Sequence, residues 1–272
     1  MLPSRAREQS LARTFWERGD TDPWQTVKTF RAVLDAFHAD RDGSQVDICR
    51  EVGVPAHRGG RWLRGETPVV VQAINTAARH DWLQSQPGDP TFEALAVLHA
   101  WTLAGGSISS DWPLSIYVGK TDPRDLAETA LATAGVRTQV RENPASESVE
   151  LRPARDGTVL ARVLHTFGSP VGDKQQSPPT LPAWLAVVPR ATQLRWARTY
   201  VSVRGSQSST NTRRLREDRP AAYHEALAGF FADLSGGTVS VIDRGIELHH
   251  TATDLLDAVP TIPEQSAVAA SK

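Results

Sequence analysis

Two stretches of the chain run through the same order of predicted elements, and this repetition constrains the fold more than any other feature. Residues 122–167, which include DLAETALATAGVRTQV and SVELRPARDGTVLARVL, predict a helix, two strands and a helix. Residues 220–259, which include YHEALAGFFADLSGGTVSVIDRGIELHH, predict the same order. A strand of the form Val/Ile-Glu-Leu, at 149–151 and at 246–248, precedes the last helix of each stretch. We infer a duplicated unit, whose period is too long for a solenoid.

A further helix and a polar segment precede each stretch and complete the unit. The first half has a predicted helix over 91–104 followed by two strands, and the second half has one over 190–203 followed by an arginine-rich segment, 206–217. The sequence therefore predicts an α+β fold with tandem αββαββα repeats over 91–168 and 181–259.

Ahead of the repeats, residues 25–84 predict only helices. Residues 1–84 form a predicted N-terminal helical domain, in which Ser44 is placed to cap a helix that ends at Gly53. The segment SQPGDP at 85–90 is typical of a linker. Residues 260–272 are predicted to be a disordered tail.

Composition excludes several classes of protein. No apolar run reaches the roughly 18 residues of a membrane helix, and the charged N-terminal segment is unlike a signal peptide. Cys49 is the one cysteine, which excludes a disulfide scaffold and favours an intracellular protein. We therefore expect a cytoplasmic monomer with no membrane partner, associated with the nucleoid if the source is prokaryotic.

The choice of basic residue gives the first indication of a partner. Only four of the 30 basic residues are lysines, although the formal net charge is −1. Arginine is the better ligand for phosphate and guanine, so the bias is compatible with nucleic-acid binding. A GC-rich genome would produce the same bias.

The helix ends of the two halves carry a family resemblance. LHAWTLAGGS (Leu98–Ser107) and LRWARTYVSVRGS (Leu194–Ser206) both end a predicted helix in Gly-Ser. Together with the duplicated order, they resemble the two central helices of single-chain LAGLIDADG homing endonucleases, and the resemblance covers residues 91–259. It implies that these helices pack together and that the two sheets form a pseudo-two-fold saddle that lies on DNA.

The same resemblance indicates that the metal ligands are lost. In the family, each helix ends in an aspartate directly before the glycine, and the two carboxylates hold divalent metal over the scissile phosphates. Gly105 and Arg204 occupy these positions here, and Leu103 and Ser202 occupy the earlier acidic positions. Glycine has no ligand atom and arginine repels a cation. The resemblance therefore implies degenerate metal positions, no catalytic residue, no metal and no cofactor.

A second choice for the central helix of the second half remains open. LAGFFADLSGGT (227–238) looks closer to the family's name and would bring Asp233 near the site, with Gly236 at the metal position. It leaves the Leu194–Ser206 helix unexplained and breaks the repeat. Asp111, just past the first helix, is more typical of a solvated acid in a turn than of a ligand.

The segment SQVDICREVGVPAHRGGRWLRGETP resembles a helix-turn-helix of the pattern D-I-A-R-E-x-G-V-S-x-x-T-V-x-R-W-L-R-G. It departs from that pattern at Gly59, where a core valine is expected. The resemblance implies that the second helix enters the major groove of DNA. The alternative is a plain three-helix bundle with Trp62 in its core and solvated arginines. The candidate nucleic-acid-binding residues are His57, Arg58, Arg61 and Arg64.

The resemblance also implies that alternate strand residues face the nucleic acid. A polar strip of this kind can neutralise phosphates, although a solvated sheet face would also be polar. In the first half the candidates are Arg137, Gln139 and Arg141. In the second half they are Arg204, Arg213, Arg214 and Arg216.

These observations together predict a nucleic-acid-binding protein derived from a homing endonuclease. We expect it to be catalytically inactive and to act as a sequence-specific, duplex-DNA-binding regulator of transcription. One alternative is an active LAGLIDADG endonuclease with unusual metal ligands. A second alternative is a protein that binds structured RNA.

Overall fold

The computed structural model describes residues 4–16, 22–142, 148–176, 180–209, 212–258 and 260–263. Within these ranges the chain has 11 α-helices and two four-stranded antiparallel sheets, which confirms the α+β class. The described residues group into two compact units, one ending at Arg79 and the other beginning at His80. No helix in these ranges combines the length and apolar character that crossing a bilayer requires.

The division between the units falls a few residues before residue 84, the predicted end of the helical domain. Residues just after the division form hydrogen bonds to elements of the second unit. The indole Nε1 of Trp82 donates to the carbonyl of Ala134 at 2.8 Å, and His80 Nε2 lies 2.9 Å from a carboxylate oxygen of Asp156.

The N-terminal unit consists of five helices. Their apolar faces meet in a core that includes Val27 and Ile48. The rings of Phe30 and Trp62 pack edge to face in this core, with centroids 5.5 Å apart. The helices are α1 (Ser4–Arg13), α2 (Pro23–Ala39), α3 (Gln45–Val52), α4 (Ala56–Leu63) and α5 (Val69–Arg79).

The second unit consists of two halves with the same order of elements, and each half runs helix, strand, strand, helix, strand, strand, helix. The first half comprises α6 (Pro90–Ala104), β1 (Gly106–Ile108), β2 (Leu114–Val118), α7 (Arg124–Thr133), β3 (Thr138–Glu142), β4 (Val149–Pro153) and α8 (Gly157–Thr166). The second half comprises α9 (Arg190–Arg204), β5 (Gly205–Ser209), β6 (Thr212–Arg216), α10 (Ala221–Ser235), β7 (Val239–Ile242), β8 (Gly245–Leu248) and α11 (His250–Leu256). Two short 3-10 helices, Lys174–Gln176 and Ala183–Ala186, lie between the halves.

The two sheets have the same strand order. The first sheet is β1-β2-β4-β3 and the second is β5-β6-β8-β7. Gly106 in β1 pairs with Ile116, and Gly205 in β5 pairs with Leu215. The arginine-rich segment after the second central helix, predicted only as polar, thus forms the counterpart of the first hairpin.

The Val/Ile-Glu-Leu strands do not occupy equivalent positions. Ile116 pairs with Leu151 in the first sheet, and its counterpart Leu215 pairs with Ile246 in the second. Leu151 therefore corresponds to Ile246 and not to Leu248. The shared sequence pattern is offset by two residues, which preserves the face on which each side chain lies.

Helices α6 and α9 pack along each other and form the centre of the second unit. Every side chain of α6 from Thr91 to Ala104 is buried, because α7, α8 and α9 all contact this helix. The helix of the alternative register, α10, packs instead on α9, α11, β7 and β8. One face of each sheet is also buried, through Leu114, Ile116 and Leu151 in the first and Leu215, Ile246 and Leu248 in the second.

Most of the predicted disordered tail lies outside the described residues. The described part, residues 260–263, contacts the second unit. Pro260 is buried, and the Thr261 carbonyl accepts a hydrogen bond from the guanidinium of Arg195.

Candidate nucleic-acid interface

The C-terminal ends of α6 and α9 bring together the two positions that the family resemblance assigns to metal ligands. Gly105 ends α6 and Arg204 is the last residue of α9. A Cβ atom built on Gly105 would lie 2.6 Å from Cγ1 of Val203. The space that an aspartate side chain would need at Gly105 is therefore filled by a methyl group of the other helix.

Two polar contacts link α6 to α9 inside the core. The indole Nε1 of Trp196 donates to Nδ1 of His99 at 3.0 Å. Burial lowers the pKa of His99 to about 3, so its ring is neutral. The carboxylate of Glu93, which is 1% exposed, accepts hydrogen bonds from Thr192 Oγ1 at 2.6 Å and from Arg195. These contacts fix the relative position of the two helices.

A cluster of polar side chains lies beside the C-terminal ends of α6 and α9. We call it the basal cluster, and its members are Lys174, Tyr200, Arg204, Glu217, Arg219 and Tyr223. The α6 carbonyl of Leu103 accepts from Lys174 Nζ at 2.9 Å and from Arg219 at 3.3 Å. Glu217 accepts from the Tyr200 hydroxyl and from Arg219. Burial, followed by the proximity of Arg219, lowers the pKa of Lys174 to about 7.

An open cleft, which we call the basal cleft, adjoins this cluster. Arg204 lies at its inner end, and its buried Nε has no hydrogen-bond partner among the residues that the structure describes. Arg216, in β6, also lines the cleft. The remaining lining residues are Glu217, Asp218, Asp243 and Arg244, of which Arg244 is paired with Asp218.

The first sheet has an open face that is polar and bears arginines. Tyr117, Glu150 and Arg141 lie opposite one another on three adjacent strands, and Gln139 lies opposite Arg152. Gln139 and Arg141 are exposed, and Tyr117 is 44% exposed. Arg152 contacts Glu150 at 2.7 Å. The exposed residue before β3, Arg137, follows the same alternation, so the three predicted residues of this half share one face.

The second sheet has a corresponding open face. Arg214, Glu247 and Ser240 lie opposite one another, and Arg214 contacts Glu247 at 2.5 Å. Arg216 is exposed on the same face of β6, two residues further along.

Arg213 does not lie with the other predicted arginines. It pairs with the buried Leu248 in the sheet register, and its guanidinium contacts Asp257 at 2.7 Å. Adjacent strand residues point to opposite faces, so Arg213 and Arg214 cannot belong to one strip. The continuous strip predicted from the sequence is corrected to Arg214 and Arg216, with Arg204 at the nearby helix end.

Helices α3 and α4 of the N-terminal unit form the segment that the sequence predicts as a helix-turn-helix. The side chain of Ser44 caps α3 by accepting from the Asp47 backbone N–H at 3.2 Å. Gly53 ends α3 with φ of 75°, a left-handed conformation that favours glycine. The chain then enters α4 through Val54 and Pro55, and Val54 is buried.

The glycine that departs from the helix-turn-helix pattern has a neighbour that fills its space. Gly59 is buried, and a Cβ atom there would overlap the sulfur of Cys49 and lie 3.0 Å from Cγ1 of Val54. The pattern has alanine at position 49 and valine at position 59. The larger cysteine on α3 therefore compensates for the missing side chain on α4.

The candidate reading residues lie on the exposed side of α4, but not all are free to bind. His57 and Arg58 are exposed in the first turn, and the Arg58 guanidinium lies over the Trp62 ring at 5.1 Å. Arg61 forms a two-point ion pair with Glu66, which lowers the pKa of that carboxyl group. Arg64 is exposed at the helix end.

Several residues of this interface were missed by sequence reasoning. Arg152 alternates with Glu150 along β4, and a strand period could have identified it. Lys174 begins a short 3-10 helix and Arg219 lies between β6 and α10, so they are far apart in sequence and no spacing connects them. Among the described residues, no group of three or more His, Cys, Asp or Glu side chains could hold a metal ion.

No protein-family model and no curated protein matches this chain.

Proposed function

We propose that this protein binds duplex DNA without cutting it, as a catalytically inactive relative of the single-chain LAGLIDADG endonucleases that carries an N-terminal helix-turn-helix. One observation carries the proposal. Two sheets of identical strand order, each with an arginine-bearing open face, are joined by the packed helices α6 and α9. This arrangement supports a saddle of the kind that the sequence resemblance implies.

The loss of cleavage is proposed from the residues at the helix ends. Magnesium prefers carboxylate oxygens and near-ideal octahedral geometry. Gly105 supplies no ligand, and Val203 occupies the space into which a ligand would project. Arg204 places a positive charge at the second position. Binding without cleavage is the activity expected of a regulator.

Duplex DNA is favoured over RNA by the N-terminal unit. The major groove of B-DNA admits an α-helix, whereas the major groove of A-form RNA is deep and narrow. Helix α4 exposes His57 and Arg58 in its first turn, which is the part of a recognition helix that contacts base edges. We assign sequence reading to α4 and phosphate contacts to the open sheet faces.

The test is selection from two randomised pools, one of duplex DNA and one of structured RNA, followed by affinity measurements over a salt series. Enrichment of a defined duplex sequence is expected. Arg214→Ala and Arg216→Ala should each lower the slope of log affinity against log salt by about one. Arg213→Ala is the matched control on the opposite face and should leave that slope unchanged. Enrichment from the RNA pool alone would favour the RNA-binding alternative, and failure to enrich either pool would refute the proposal.

A further inference from the structure

Two arginines, Arg204 and Arg216, line the basal cleft. Neither Arg204 nor Arg216 forms an ion pair with any residue in the described ranges, and the Nε of Arg204 is buried without a hydrogen bond. A buried donor without an acceptor is costly, so a bound group that accepts hydrogen bonds would stabilise this arrangement.

The charges around the cleft do not balance internally. In the basal cluster, Lys174, Arg204 and Arg219 face a single carboxylate, Glu217. The C-terminal ends of α6 and α9 add about half a negative charge each. Burial raises the pKa of both Tyr200 and Tyr223, so these phenols stay neutral. With its pKa of about 7, Lys174 is about half protonated at pH 7, so roughly half a positive charge is left over beside the cleft.

The rim of the cleft does not supply the missing negative charge. Asp218 is paired with Arg244 across the mouth of the cleft. Asp243, in the turn between β7 and β8, is exposed and forms no ion pair among the described residues, so solvent screens its charge. Burial is the main cause of the low pKa of Lys174, and Arg219 and Arg204 lower that pKa further against the opposing effect of Glu217.

The location of the cleft indicates the chemical class of its ligand. Helices α6 and α9 pack together and lead directly into β1 and β5, so their ends lie where the two sheets approach each other. Arg216 belongs both to the cleft and to the open face of the second sheet. A polyanion that lies on the open faces would therefore pass over the cleft.

We propose that the basal cleft binds a phosphate group directly through Arg204 and Arg216, without a metal ion, and that its ligand is a backbone phosphodiester of the bound nucleic acid. This inference rests on the proposed function for the identity of the ligand. One phosphodiester carries one negative charge, which is opposite in sign to the excess beside the cleft. Two guanidinium groups can present several hydrogen-bond donors to its oxygens.

The first test uses inorganic phosphate as the probe and the full chain in a buffer that contains EDTA. Phosphate should raise the melting temperature of the wild type. It should have no effect on Arg204→Ala or Arg216→Ala, and a larger effect on Asp243→Asn, which removes the acid at the rim. Arg213→Ala, on the same strand as Arg216 but on the other face, should respond like the wild type. An equal response in all five proteins would mean an adventitious ion only and would overturn the proposal.

The second test measures affinity for duplex DNA in EDTA and in Mg²⁺. Arg204→Ala should weaken binding about tenfold and lower the salt slope by about one, equally in both buffers. Circular dichroism and urea unfolding would establish that each variant is folded, and the exposed Arg216→Ala provides a second variant if Arg204→Ala is unstable.

An Arg204→Ala protein that binds DNA like Arg213→Ala would overturn the phosphate site while leaving DNA binding intact. A phosphate response that depends on Arg204, in a protein that binds no nucleic acid, would support the site and refute the proposed function, and the ligand would then be a free phosphate ester.

Discussion

The α3–α4 pair and the α6–α9 pair both contain a glycine where the pattern they resemble has a larger side chain. At Gly59 the pattern has valine, and the sulfur of Cys49 fills the space. At Gly105 the pattern has aspartate, and a methyl group of Val203 fills the space. The first exchange replaces one apolar group by another, so the module keeps its shape. In the second, a methyl group stands where the pattern has a carboxylate, so the helices pack without the oxygen ligand that the pattern would supply. A single position can therefore keep the packing of the pattern without keeping its functional group.

The two pairs also differ in what they bury, and this gives the largest expected effect. The α6–α9 pair encloses His99, whose pKa burial lowers to about 3, whereas α3 and α4 bury no ionisable side chain apart from Cys49. In the unfolded chain the ring takes up a proton below about pH 6.5, but in the folded chain it stays neutral. The second unit should therefore lose on the order of 1.4 kcal/mol of stability per pH unit as the pH falls from 6.5 toward 3.

Urea unfolding of wild type and His99→Asn between pH 7 and pH 4 measures this effect. Asparagine retains an acceptor for Trp196 but does not titrate. The unfolding free energy of His99→Asn should therefore depend less steeply on pH than that of the wild type, and the difference should correspond to about one proton bound on unfolding. Identical pH slopes in the two proteins would show that His99 does not set the acid sensitivity of the helix pair.

Placing an aspartate at position 105, where the pattern has one, tests the α6–α9 contact. Gly105→Asp should destabilise the second unit by at least about 1–3 kcal/mol, because Cβ would lie 2.6 Å from Val203 Cγ1. Adding Val203→Ala should recover most of that loss. Calorimetric titration with Mn²⁺ should show no binding by Gly105→Asp, since Arg204 remains. Mn²⁺ binding by this single variant would mean that Gly105 alone had removed the metal site.

The corresponding test in the N-terminal unit is Gly59→Val. The valine would overlap the sulfur of Cys49, and a loss of about 1–3 kcal/mol of unfolding free energy is expected. The double variant Cys49→Ala, Gly59→Val should be more stable than Gly59→Val alone, with a coupling of about 0.5–3 kcal/mol in a double-mutant cycle. Additive losses would mean that Cys49 and Gly59 do not compensate each other.

Local sequence patterns predict some elements of this chain and miss others. The caps Ser44 and Gly53, six of the strands and the long helices follow from local patterns, and the structure confirms them. Strands β5 and β6 lie in the segment that was predicted only as polar. Helix α1 was missed because the segment SRAREQSLAR has few apolar residues to show a period. The predicted face of Arg213 was wrong because Arg213 and Arg214 are adjacent on β6, so their side chains point to opposite faces of the sheet.

The compensating neighbours Cys49 and Val203 could not be found from the sequence. Each lies on a different helix from the glycine whose space it fills, and only the packing of those helices brings them together. The same holds for the basal cluster, whose members come from four separate segments of the chain.

The smallest expected effect concerns the availability of Arg61. Its guanidinium is held by Glu66 at the exposed end of α4, so Glu66→Gln should release it for nucleic acid and raise affinity by up to about fivefold. Fluorescence anisotropy with the selected duplex measures the change. Glu8→Gln, which removes the partner of Arg31 on α2, is the matched control and should leave affinity unchanged. A loss of affinity in Glu66→Gln would show that the ion pair positions Arg61 for binding.

The central claim is that the helix pair retains its packing and the protein its DNA binding after the metal ligands are lost. The most direct test incubates the selected duplex with the protein in Mg²⁺, in Mn²⁺ and in EDTA, and scores binding and cleavage on parallel native and denaturing gels. The account predicts a shifted, uncut duplex with similar affinity in all three buffers. Cleavage at a defined position that requires Mg²⁺ or Mn²⁺ would contradict it and would identify an active endonuclease with other metal ligands.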